Sequence, residues 1–410
     1  MKILWVTNVE LPMVASYRGR KSLYGGWLEQ SAKILSQSEG ISLAVLSMGE
    51  AYDEIMLDGV RYYGFCADAF IPKFDMLLQE FEPDIIHIWG TEYQHSYEAM
   101  CKVKEENLQE RTILSIQGLV SVYWQHYYAG VPEKIYKKKT VYELVKKCSL
   151  EHMREAMKAQ GAYEQTCFLL AKHCIGRTDW DLACAKQMNP EIHYYKCNET
   201  LREVFYQNEW SHEACEKHTI VFSQAHYPIK GLHNMMKALA IVKRNYPDVK
   251  LKTLGVSPFE INGIKQYLKR STYQRYIMEL VQKYDLKNHI EWVGSLDAKQ
   301  MVEHYLHGNV FVCASAIENS SNSIGEAMLL GMPVVASDVG GIKSLLVHEK
   351  EGLLYQQDAP YMLADCIERI FKNPEWAMEL GKSAKEKASI THDRMKNGND
   401  LIKIYEELKQ

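Results

Sequence analysis

Two glutamates, Glu318 and Glu326, bracket a small polar stretch in the run Cys313-Ala-Ser-Ala-Ile-Glu318-Asn-Ser-Ser-Asn322-Ser323-Ile-Gly325-Glu326-Ala-Met. A strand that ends at Cys313, a loop, and a helix opening near Ser323 would expose unpaired backbone N–H groups at the positive end of the helix dipole, a setting suited to phosphate. Glu326 is expected in the first turn of that helix, where a carboxylate accepts hydrogen bonds from sugar hydroxyls. Glu318, ahead of the loop, would reach the far side of the phosphates. Two glutamates alone describe a helix-start charge and a capping loop equally well. The ordered context favours chemistry: the run continues into Gly331-Met-Pro333-Val-Val-Ala-Ser-Asp338-Val-Gly340-Gly341.

A second phosphate-directed feature is Val221-Phe-Ser223-Gln224-Ala-His226-Tyr-Pro228-Ile-Lys230-Gly231. A lysine beside a glycine at a helix start supplies charge where the backbone permits close approach. Lys230 is therefore a candidate phosphate contact and Gln224 a polar companion. In the first half, Gly25-Gly26 ends a long loop (residues 8–26) that also carries Arg18 and Arg20. Gly-Gly at a helix start brings backbone amides near a ligand and is also common turn punctuation. His87, Gln117 and Arg177 fall at expected strand ends, where ligand sites of parallel sheets gather. Gln117 can hydrogen-bond a sugar or phosphate but cannot shuttle a proton. His126 lies in Tyr123-Trp124-Gln125-His126-Tyr127, with company suited to a sugar or to packing. Arg177-Thr178-Asp179-Trp180-Asp181 holds an Asp-x-Asp, a pattern that elsewhere binds a metal, but Thr178 or Asp179 as a helix cap is the better reading. Arg177 is expected to face a ligand cleft, and no essential metal is expected, since Lys230 and the helix start already supply positive potential.

These residues need strands to hold them. Apolar runs at residues 2–6, 42–46, 84–88 and 111–116 alternate with amphipathic stretches, which predicts an α/β parallel sheet with crossover helices. Residues 132–171 read as long helices beside that domain. After a polar linker at 206–217 the rhythm restarts at 219–223, 249–254, 290–293, 310–313, 333–336 and 352–355, and residues 376–409 read as helix alone. The expectation is two domains: residues 1–210 and 211–375, facing across a cleft, with 376–410 as a helical tail crossing back onto the first.

Composition narrows the class. At 410 residues, 47% apolar and 24% charged, the chain is long enough for two cores. A formal net charge of −4 gives no general attraction for nucleic acid. The ten cysteines form no Cys-x-x-Cys pair, which fits a reducing cytoplasm. No stretch of about 18 apolar residues suggests a membrane span. The densest basic cluster, Lys134, Lys137, Lys138, Lys139, Lys146 and Lys147, fits either contact with an anionic membrane at its inner face or a solvated helix.

The Glu318-to-Glu326 run resembles the E-x7-E motif of the retaining glycosyltransferases of group 1, or family 4, which have two Rossmann-like domains in the GT-B architecture. The resemblance runs through residues 219–358 and, more thinly, 1–120. It implies that Glu318 contacts the sugar of a nucleotide-diphosphate sugar donor, Glu326 its ribose, and the amides of Asn322 and Ser323 its diphosphate, with Lys230 stabilising the leaving group and no cofactor. Gly25, Gly26, Gln117, His126 and Arg177 would complete the binding site. Two positions depart from the pattern: Gln224 stands where the family usually has arginine, and Gln117 where it usually has histidine. The phrases at 115–122, 176–181 and 196–199 are similar to members that build bacterial surface polysaccharides, implying a glycan or lipid-linked acceptor. The alternatives are a sugar-nucleotide epimerase of the same architecture and a catalytically silent sugar-nucleotide-binding protein.

Overall fold

The computed structural model describes residues 1–22, 25–222, 227–255, 257–259 and 269–409. The contacts divide the chain into two compact units: Met1–Ser121 with Lys158–Glu203 and Thr391–Gln410, and Val122–Met157 with Val204–Ile390.

The first unit is built on strands β1 (Lys2–Thr7), β2 (Ser42–Met48), β3 (Tyr52–Leu57), β4 (Val60–Phe65), β5 (Ile85–Trp89), β6 (Thr112–Ser115), β7 (His173–Gly176) and β8 (His193–Lys196), in the order β3-β4-β2-β1-β5-β6-β7-β8. Its neighbours pair in parallel apart from the β3–β4 hairpin. Apolar groups cover both faces. Ile3 and Trp5 join one core with Leu28, Val45 and Tyr405, whereas Leu4 and Val6 join another with Phe65, Ile86 and Phe168. A strand buried on both faces must be apolar at successive positions, which explains the unbroken run at residues 3–6. Helix Arg394–Lys409 belongs to this unit, and its Tyr405 hydroxyl accepts a hydrogen bond from Trp5 Nε1 at 2.9 Å.

The second unit holds β9 (Thr219–Phe222), β10 (Lys250–Thr253), β11 (Ile290–Trp292), β12 (Val310–Cys313), β13 (Val334–Ser337) and β14 (Leu353–Tyr355), all parallel, in the order β11-β10-β9-β12-β13-β14. Counted within the unit this is the 3-2-1-4-5-6 order of the doubly wound Rossmann fold. The α/β class and the two Rossmann-like domains expected from the sequence are both present.

Three local expectations change. The stretch after β1 is not a continuous loop, because helix Pro12–Tyr17 forms within it, with proline at its first position. Of the long helices expected across 132–171, one is long, Leu150–Leu170; ahead of it lie the short helices Glu133–Tyr136 and Val141–Lys146. Residues 122–157 also differ from a single division near residue 210, since they pack within the second unit. The Glu143 carboxylate there accepts from the Thr272 backbone N–H at 2.8 Å and its hydroxyl at 2.6 Å, and His233 Nε2 meets the Ala129 carbonyl at 2.7 Å.

Candidate functional site

In a doubly wound sheet the chain reverses direction between two adjacent strands, and the loops leaving their C-terminal ends diverge to open a crevice. In the second unit these strands are β9 and β12. Lys230 follows β9 on a short 3-10 turn, Pro228–Lys230, and Glu318 follows β12. The two meet, with Lys230 Nζ 2.8 Å from Glu318 Oε2. The approach depends on Gly231, whose φ of 75° is left-handed and where a Cβ would collide with the Ala314 carbonyl. The Ala316 N–H donates to the Ile229 carbonyl at 2.7 Å, stitching the two loops together.

Glu318 is fixed from several sides. Ser315 Oγ donates to the same Oε2 at 3.0 Å, Ser337 Oγ anchors the Ser315 carbonyl at 2.6 Å, and the Glu318 carbonyl accepts from the Gly341 N–H at 3.0 Å. Burial opposes the Lys230 ammonium, yet the facing carboxylate outweighs it and holds the lysine pKa above its ordinary value. Lys230 therefore stays charged across the physiological range. Ser315 was not singled out from the sequence, because a buried serine in a small-residue loop carries no spacing signal.

The loop ends in helix Asn322–Leu330 with Ser321 at its N-cap. Ser321 makes no side-chain cap; its hydroxyl instead lies 3.0 Å from that of Ser323, and its carbonyl accepts from the N–H groups of Ile324 and Gly325. The helix thus begins at Asn322, one residue before the expected start. Glu326 consequently lies in the second turn rather than the first, and it is buried. Asn322 Oδ1 is a buried acceptor with no hydrogen-bond partner among the described residues. Lys230, Glu318, Asn322, Ser323 and Glu326 are thus carried by the loop of one strand and the loop and helix of its neighbour.

In the first unit, Gln117 and Arg177 also come together, on Glu199, which the sequence reading carried only within the phrase at 196–199 and gave no role. Gln117 Nε2 donates to Glu199 Oε1 and Arg177 Nη1 to Glu199 Oε2, each at 2.6 Å. The Glu199 carbonyl meets His392 Nδ1 at 3.0 Å. Arg177 and Glu199 line a cavity of about 20 Å³ with Trp89, Ser115 and Asn397, room for about one water. Arg177 is only 6% exposed, and its guanidinium is engaged by Glu199 and by the carbonyls of Ile116 and Gln117. A lone acid just past a strand end, as Glu199 is past β8, was the available signal.

The other candidates separate. Gly25, at φ 84°, is the N-cap of helix Gly26–Gln37, and a Cβ there would approach Val9 to 2.9 Å. Gly26 faces the Arg202 side chain. His126 ends the 3-10 turn Trp124–His126 and belongs to the second unit, and partial burial lowers its pKa. His87 is a core residue: it is fully buried between Ser115 Oγ at 2.7 Å and Tyr405 at 2.5 Å, and burial pushes its pKa well down. Arg18 and Arg20 both pair with Glu10 and Glu50. Thr178 caps helix Asp179–Met188 in a reciprocal capping box with Asp181, which also accepts from Tyr194 at 2.6 Å. The Asp-x-Asp is therefore a helix start, as expected. Gln224 lies outside the described residues.

Residues 207–387 match the family model described as glycosyl transferases group 1. Among curated proteins, spore coat protein SA of Bacillus subtilis is 24% identical over 181 residues, 44% of this chain and 46% of that protein. The match thus spans about half the length of that relative. Among solved structures, sucrose-phosphate synthase from Thermosynechococcus elongatus aligns over 100% of this chain and 99% of its own, with a TM-score of 0.75 and 18% identity. HepE from Anabaena, in complex with UDP-glucose, aligns over 99% of this chain and 100% of its own, with a TM-score of 0.67 and 15% identity. At these identities the structural likeness establishes the fold, which is that of the GT-B glycosyltransferases.

Proposed function

From a chain whose residues 207–387 match the model of the glycosyl transferases group 1 family, we propose a retaining glycosyltransferase that moves a sugar from a nucleotide-diphosphate sugar to a hydroxyl of a glycan or lipid-linked acceptor in cell-surface polysaccharide synthesis. The observation that carries this reading is the Lys230–Glu318 pair at the switch point of the second sheet, beside the helix start at Asn322 and Ser323. A lysine ammonium has three donors. Glu318 takes one and keeps the side chain in place, leaving donors for the phosphate that arrives with the donor.

The reaction follows from that assignment. Lys230 and the N–H groups of the helix start stabilise the negative charge that grows on the leaving diphosphate. The acceptor hydroxyl attacks the anomeric carbon from the face the diphosphate leaves, and a diphosphate oxygen takes its proton, so the anomeric configuration is kept. Glu318 orients donor hydroxyls and Glu326 the ribose. The protein's contribution is positional and electrostatic, so neither a histidine at position 117 nor a bound metal is required, and activity should survive EDTA. A cytoplasmic protein touching the inner face of the membrane fits a lipid-linked acceptor. HepE was solved in complex with UDP-glucose, which makes a uridine nucleotide the first donor to try.

The direct test is titration calorimetry with a panel of nucleoside diphosphates and their sugars. One nucleotide should bind, and Glu326→Ala should weaken it by about 1–3 kcal/mol, the cost of losing hydrogen bonds to a charged group, without unfolding the protein. Unchanged affinity in the variant would remove Glu326 from the site. Absence of binding by every nucleotide in the panel would remove the donor reading altogether.

A further inference from the structure

Helix Val141–Lys146 is built inside out. An ordinary surface helix turns its apolar residues to the core and its charges to water. Here Glu143 is the buried residue, with no exposure at all, while Val141, Leu144 and Val145 are 79%, 52% and 74% exposed. Residues spaced i, i+3 and i+4 share one helix face, so these three form a single apolar strip pointing outward.

The strip is held in place. Thr140 caps the helix in a capping box with Glu143: the Glu143 carboxylate accepts from the Thr140 N–H at 2.8 Å, and the Thr140 hydroxyl accepts from the Glu143 N–H at 3.1 Å. The same carboxylate accepts from the backbone and hydroxyl of Thr272 at 2.8 and 2.6 Å. Rolling the helix to hide its apolar residues would pull the carboxylate away from Thr272 and leave the buried Thr272 N–H and hydroxyl without that acceptor, at considerable cost. The polar anchor therefore fixes the apolar side outward.

The surroundings say what covers it. Residues 133–147 contain six lysines, Lys134, Lys137, Lys138, Lys139, Lys146 and Lys147, against two glutamates, in a chain whose formal net charge is −4. All six are exposed. Lys137 pairs with Glu133 and Lys139 with Glu151, and Glu143 is turned inward, so the outward side of the segment is strongly positive. A short apolar strip flanked in sequence by exposed lysines on both sides matches the boundary of an anionic bilayer, with apolar side chains entering the acyl edge and ammonium groups at the phosphates.

We propose that helix Val141–Lys146 and its flanking lysines are a docking surface for an anionic lipid membrane. This gives residues to the membrane contact in the functional reading above but rests on the surface alone, and it is tested without donor or acceptor.

The experiment is cosedimentation of the full chain with phosphatidylcholine vesicles, with and without phosphatidylglycerol. Binding should require phosphatidylglycerol and should weaken as salt is raised, because exposed charges are screened. Each of Lys138→Gln and Lys146→Gln should cost about fivefold in vesicle affinity. The combined Val141→Ser, Leu144→Ser and Val145→Ser variant should cost more and lose the binding that persists at high salt. Since these side chains are exposed, the variants should keep the parent's thermal melt; should one not, the salt titration of the parent still decides. Equal sedimentation with both vesicle types, no sedimentation at low salt, or full binding by the variants would overturn the proposal. So would a concentration-dependent dimer of the parent that the serine variant abolishes, which would show a second copy covering the strip. Nucleotide titration of the same variants separates the two readings, because donor affinity should be unchanged.

Discussion

Each unit of the molecule places a cation beside a carboxylate at the C-terminal ends of parallel strands, and the two pairs are closed to different degrees. In the first unit, Arg177 and Glu199 have side chains 5% and 8% exposed, and every neighbour named above holds them harder: Gln117 on the carboxylate, two carbonyls on the guanidinium, His392 on the Glu199 backbone. In the second, Lys230 and Glu318 are 19% and 12% exposed, and the lysine is a flexible point charge with donors beyond those Glu318 uses. The first pair has the properties of a fastener and the second those of a site. A charged pair at a strand end is therefore not enough to mark a ligand site. What matters is whether the cation keeps donor capacity on the side a ligand can reach.

The strongest way to break this comparison is to remove the cation of the sealed pair. Arg177→Met should destabilise the protein by about 3–5 kcal/mol, because it leaves the Glu199 carboxylate buried and unpaired. Urea unfolding monitored by circular dichroism would measure it. A loss below about 1 kcal/mol would mean that the pair is solvated and freely exchangeable, and would return Arg177 to the list of ligand contacts.

The matching change in the open pair should act on chemistry. Lys230→Ala should lower transfer by about a hundred- to a thousandfold, the scale for deleting one donor to a developing anion, with a much smaller effect on unfolding than Arg177→Met. The rate should be the same in EDTA. If Lys230→Ala cost stability and spared turnover, the roles assigned to the two pairs would be reversed.

A sealed carboxylate with no cation partner among the described residues sharpens the comparison further. Glu164 is fully buried and accepts from Thr91 Oγ1 at 2.9 Å and the Ser121 N–H at 2.8 Å. Burial, with the nearby charge of Glu92 adding to it, raises its pKa to about 7. In the unfolded chain a glutamate titrates near 4.3, as model peptides do. Between about pH 4 and pH 7 the folded state therefore binds the proton more tightly, so the stability this group contributes is present at the acid end and lost as pH rises. Glu164→Gln should flatten that slope. Unfolding free energies at about pH 5 and pH 8 should differ less in the variant than in the parent; an unchanged difference would place the titration elsewhere.

Much of the second unit was legible because its signals are local. Strand, polar loop, helix and strand follow one another at residues 310–337, and a doubly wound sheet turns that order into a site without long-range information. The boundaries were less so: whether the helix opens at Asn322 or Ser323 depends on a cap, and Ser321 bonds with Ser323 instead of capping. In the first unit the β3–β4 hairpin was overlooked although its signal is present, since Asp58 and Gly59 form a two-residue turn with φ of 48° and 78°. Strand β3 is half-exposed and its polar residues hide the pattern. The membership of residues 122–157 in the second unit was not legible at all. It is set by Glu143 meeting Thr272 and His233 meeting Ala129, contacts between residues more than 100 positions apart.

The smallest expected effect concerns the Asp-x-Asp of the first unit, the remaining place where a metal would change the reading. Asp181 is buried and engaged by the backbone of Arg177 and Thr178 and by Tyr194, whereas the Asp179 side chain is 88% exposed and lies 3.8 Å from Lys196. A metal site needs both carboxylates free to turn toward one ion. A helix start needs only Asp181 in its capping box, with Asp179 adding a favourable charge near the positive end of the dipole. Asp179→Ala should therefore leave turnover unchanged, with and without added manganese, and shift stability by no more than about 1 kcal/mol. Parallel assays in EDTA and in manganese decide the matter. A manganese-dependent rate that Asp179→Ala abolishes would make the Asp-x-Asp a metal site, and the Lys230–Glu318 pair would no longer account alone for the charge of the leaving diphosphate.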